Sequence, residues 1–102
     1  MNGIMIVRIV KMTFRPEEME VFQDLFKSWK PRIRAFPGCL HLELLHDLKN
    51  PAVYFTYSHW RAQEDLDAYR GSDVFSGVWP KAKTMFAEPA EAWSLHREAV
   101  EI

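Results

Sequence analysis

The chain has 102 residues, 48% of them apolar, with 13 Lys and Arg against 14 Asp and Glu, a length that predicts one domain over residues 1–102 with its core at 4–97. The charges are interspersed, which excludes an electrostatic case for nucleic acid. One cysteine excludes an intrachain disulfide, the four histidines show no metal-ligand spacing, and no apolar run is long enough to cross a bilayer, so a cytoplasmic protein with no metal and no membrane partner is expected.

In chain order, Ile4–Val10 is apolar at both parities and predicts a central strand buried on both faces. Arg8 breaks the run, and either pairs with a carboxylate such as Glu43 or reaches into a cavity. Pro16 suits a first helical position and Glu17 and Glu18 a helix's positive end. Apolar residues then recur at three and four from Met19 to Phe36, an amphipathic helix that Pro37-Gly38 stops.

Phe36 to Trp60 reads as a hairpin. Leu40, Leu42 and Leu44 recur at period two, Val53, Phe55 and Tyr57 alternate with Tyr54, Thr56 and Ser58, and Asp47 to Pro51 supplies the turn. Arg61–Arg70 predicts a helix with Ala62, Leu66 and Tyr69 inward, and Gly71 ends it. Ser72 is the N-cap of a further helix, whose stripe from Val74 runs through Phe86 to Glu88-Pro89; Ala92–Arg97 alternates as a last strand. The order is that of a ferredoxin-like βαββαβ sandwich, an α+β fold with a four-stranded antiparallel sheet. Its second sheet face still carries aromatics, so a homodimer through that open face is expected, with a small-molecule cavity between sheet and helices.

With these elements in place the chain resembles the antibiotic biosynthesis monooxygenase domain of the dimeric α+β barrel superfamily. The resemblance runs from about 4 to 97 and rests on Phe36-Pro37-Gly38-Cys39-Leu40, Glu43-Leu44, Trp60, Leu66, Ser72 and Phe75. It implies a cofactor-independent monooxygenase of a small quinol-like or phenolic aromatic, with molecular oxygen as co-substrate. The alternative is a non-catalytic dimeric small-molecule-binding or stress-response module.

In family oxygenases the Trp at the position of Trp60 helps to wall the substrate pocket. Tyr69 stands where many members carry a histidine, and Thr56 where oxygenases of polycyclic phenols carry an asparagine. A phenol donates well but is a weak base at neutral pH. The Asn and the axial His of haem-degrading relatives are missing, which disfavours haem degradation. Tyr69 and Trp60 are therefore the catalytic candidates. Arg8 and Thr56 are expected at the substrate, with His41 and Glu43 either beside them or forming a solvated or dimer-lining pair. His59, of opposite parity to Trp60, is expected to point toward the helices.

Overall fold

The computed structural model describes residues 4–100. Four strands, β1 (Ile6–Phe14), β2 (Cys39–His46), β3 (Val53–Trp60) and β4 (Phe86–Leu95), form one antiparallel sheet in the order β2-β3-β1-β4. Helices α1 (Met19–Arg34), α2 (Gln63–Arg70) and α3 (Asp73–Lys83) fill the connections, and the result is the ferredoxin-like α+β fold.

The α1 stripe buries Phe22, Phe26, Trp29 and Ile33 on the sheet. Only one sheet face is covered by helices, so β1 is central in order but not buried on both faces; Ile9 and Val10 are half-buried. That corrects the two-sided burial inferred from composition.

Boundaries shift where polar residues alternate inside a strand. β1 continues to Phe14 because Lys11 and Thr13 lie on the open face, Lys11 pairing with Glu91 at 3.8 Å, while Met12 and Phe14 are buried opposite. The third helix stops at Lys83 rather than running to Glu88, and β4 starts at Phe86, paired with Phe14. Pro89 disfavours helix at Glu88 and is accepted on an edge strand beside a register shift. At the front of α1, Pro16–Glu18 form a 3-10 turn and the α-helix begins at Met19.

The turns follow residue chemistry. Asp47 accepts from the backbone N–H of Lys49 (3.0 Å) and Asn50 (2.7 Å), and Asn50 accepts from Ala52 N–H (3.0 Å). These two backbone bonds hold the Asp47 carboxyl below its usual range. Ser72 caps α3 by accepting from Phe75 N–H (3.2 Å).

At the start of β2, Gly38 sits at φ +89°, where a Cβ would lie 2.4 Å from Asp65 Cβ, so only glycine fits. Leu40 departs from the expected Leu40-Leu42-Leu44 face. The register shifts by one between Cys39 and His41, Cys39 turns inward beside Trp60, and Leu40 is 47% exposed.

Candidate functional site

The even-numbered residues of β1 and β3 face the helices, and between the two layers lies a cavity of about 190 Å³. The sheet contributes Arg8, Val10, Met12, Thr56, Ser58 and Trp60 to its walls. From the helices come the α1 stripe, Tyr69 and Arg70 at the end of α2, and Phe75, Val78 and Trp79 of α3. The wall is mostly apolar, with a few polar groups set into it, the usual make-up of a small-molecule site. An engineered apolar cavity of about 150 Å³ is known to accept benzene, so this space suits one substituted aromatic ring and is small for a polycycle.

Trp60 is 1% exposed, and its indole N–H donates to Ser58 Oγ at 3.0 Å. The ring is thus a wall whose own donor is already committed. Tyr69 stacks on it, centroids 4.9 Å apart and planes 25° off parallel, and Phe36 and Phe75 meet Tyr69 edge-on. Burial, with a smaller contribution from Cys39, pushes the Tyr69 phenol up to about 12. It is therefore protonated at neutral pH, in the form that can donate a hydrogen bond but cannot act as a base. Cys39 is buried, its thiol is likewise pushed up by burial, and it donates weakly to the His41 carbonyl at 3.7 Å. A thiol in that state is no nucleophile.

Arg8 does not pair with Glu43, because the two side chains leave opposite faces of the sheet. Its Nη1 donates to Ser94 Oγ at 2.8 Å, and the residue lines the cavity. Burial first, and then the charge of Arg70, lowers the Arg8 pKa. Arg70 is not among the residues that the sequence points to at the site. The signal was present all the same: it stands one helical turn after Leu66, on the edge of the inward stripe.

The structure thus brings Arg8, Thr56, Trp60 and Tyr69 to one cavity and leaves His41 and Glu43 out of it. Those two belong to the open face, Nε2 to Oε2 at 2.5 Å, in line with Tyr57 and His59. His59 is there as well, not toward the helices: Trp60 faces them, so its neighbour in the strand must point away. His59 Nε2 lies 2.9 Å from the Tyr57 hydroxyl. No group of three His, Cys, Asp or Glu that would hold a metal occurs among the described residues. Among them too, no helix is long and apolar enough to cross a membrane.

Residues 5–78 match the family model described as antibiotic biosynthesis monooxygenase. Solved structures share the fold along nearly the whole chain. A conserved protein of Methanosarcina mazei Go1 is 22% identical with a TM-score of 0.89, covering 93% of this chain and 94% of that one. A protein of Mycobacterium tuberculosis is 18% identical at TM-score 0.86, covering 94% and 97%. A structure described as an antibiotic biosynthesis monooxygenase is 20% identical at TM-score 0.84, covering 94% and 99%. At such identities the likeness is one of fold. No curated protein matches the chain.

Proposed function

The chain belongs to the antibiotic biosynthesis monooxygenase family, and from that premise we propose that it oxygenates a small phenolic or quinol-like aromatic without a cofactor, using the cavity between sheet and helices. The observation that carries this reading is the convergence of Arg8, Thr56 and Tyr69 on an aromatic-walled space of about 190 Å³. The substrate itself reduces oxygen. A quinol would become a hydroxyquinone, one atom of O₂ forming the new hydroxyl and the other leaving as water with the two hydrogens the quinol loses.

Arg8 stabilises the phenolate that must form before electrons pass to oxygen, Tyr69 and Thr56 donate hydrogen bonds to developing oxyanions, and Trp60 holds one ring face and keeps water out. Oxygen uptake measured across quinols and phenols, with no redox cofactor added, tests the reading. Uptake with at least one of them, lowered about tenfold or more in Tyr69→Phe, is expected; none across the panel removes it. One observation favours a binding module instead: among the described residues no imidazole or carboxylate lines the cavity, so none of them stands ready as a general base to take the substrate's proton.

A second copy is the partner that this reading places on the open sheet face. Trp93, Leu95 and Leu45 lie there 42%, 47% and 42% exposed, beside half-buried Phe55 and Tyr57.

A further inference from the structure

Two arginines, Arg8 and Arg70, line the same small cavity, and among the described residues no carboxylate lines it. Among the described residues neither arginine has an acidic partner within 4.0 Å, whereas Arg15 and Arg61 do. Arg8 comes from the first half of β1 and Arg70 from the last turn of α2, so the fold places two cations together where either could have been spared the repulsion. The one side-chain hydrogen bond of Arg8 goes to a neutral hydroxyl, that of Ser94. Uncompensated like charges at a partly desolvated site are relieved by an anion between them, and the guanidinium fork matches the paired oxygens of an acid. The rest of the wall, Trp60, Phe75 and Trp79 among it, fits a ring.

We propose that the ligand of this cavity is a single-ring aromatic acid, its carboxylate or phosphate held between Arg8 and Arg70 and its ring against Trp60 and Phe75. The assignment rests on the cavity being the substrate site, as proposed above, and narrows the phenolic class to members that carry an acidic group. It stands on binding alone, apart from any oxygen chemistry.

Tryptophan fluorescence of the full chain, titrated with benzoate, phenyl phosphate and neutral benzamide, tests it, since Trp29, Trp60 and Trp79 all border the space. One or both anions are expected to bind at least tenfold more tightly than benzamide, and the stronger of the two identifies the acid. Arg70→Gln and Arg8→Gln should each weaken the anion by about ten- to a hundredfold and leave benzamide unchanged. Arg70 is exposed at a helix end, so its variant keeps the fold, and Arg8→Lys covers the case in which Arg8→Gln unfolds. Equal affinity for benzamide, no binding of either anion, or anion binding indifferent to Arg70→Gln overturns the assignment. The two readings fail separately. Anion binding with no oxygen uptake on hydroxylated benzoates leaves the acid site and removes the oxygenase, whereas uptake on neutral quinols that Arg70→Gln does not alter, with no binding of either anion, does the reverse.

Discussion

Tyr69 shows how much one buried hydroxyl constrains the chemistry. Raised from the ordinary 10 to about 12, the phenol holds its proton more tightly in the folded chain than in the unfolded one. Its stabilising share is therefore whole below pH 10 and fades as pH climbs through the folded value. Between pH 6 and 9 the phenol does not titrate, so Tyr69→Phe is expected to lower turnover without moving the pH profile. A limb of that profile that vanished in the variant would mean that the phenol titrates there after all. Trp60 carries a structural share too large for a simple truncation test. Fully enclosed, with its N–H committed to Ser58, it is expected to cost about 3–5 kcal/mol when cut to alanine, a large part of a small domain's stability. Trp60→Phe keeps a ring on Tyr69 and is the variant whose kinetics are interpretable. Gly38 is as constrained as either: Gly38→Ala meets both a left-handed φ and the Asp65 side chain, and about 1–3 kcal/mol or more should be lost in denaturant melts.

At the level of elements, the parts that show plainly in the sequence are those in which local chemistry and tertiary role agree. The β2–β3 hairpin is one, since alternation sets its faces and Asp47 and Asn50 build its turn from their own side chains. The Ser72 cap of α3 is another, and Ser72→Ala should lower stability by about 1 kcal/mol, read as a fall in melting temperature of about 4–8 °C. The ends of β1 and β4 are less legible. Lys11 and Thr13 look like the end of a strand until a neighbouring strand gives them a second, uncovered face, and Phe86 keeps helical spacing while its real partner is Phe14, far away in sequence. The cavity divides along the same line. Trp60, Thr56 and Arg8 follow from strand parity, and Tyr69 from its inward helical position. Arg70 shows its inward-edge position in the sequence, but that it meets Arg8 of β1 at one cavity is a relation that no window of sequence contains. His41 and Glu43 stay open between substrate side and open face for the converse reason: their shared parity is plain, but which side of the sheet the helices cover is a global property.

For the molecule as a whole, the uncovered sheet face is where the proposed second copy would sit. Glu43, Tyr57, Ile9 and Trp93 form one row across the four strands, and His41, His59, Val7 and Leu95 the next. Trp93 and Leu95 are nearly half exposed there, which supports the proposed twin sheet, isologous by symmetry. A charge on this face would be stripped of water against the proposed second copy, so Trp93→Glu is expected to convert that dimer to monomer in light-scattering mass measurements at micromolar concentration. A wild-type chain that is already monomeric would remove the premise. The histidines give that seam a pH dependence of definite sign. Burial, followed by the charges of His41 and Arg97, holds His59 below the ordinary imidazole value, with Glu43 opposing more weakly. The neutral ring is thus the form that the packed face prefers, and a second sheet laid over it deepens the desolvation. Association should be complete above about pH 6.5 and weaken as pH falls through the depressed value. Sedimentation at pH 8 and pH 5 should show dimer giving way to monomer, and His59→Gln should blunt the change. An acid transition of the same size in that variant would move the origin of the effect away from His59.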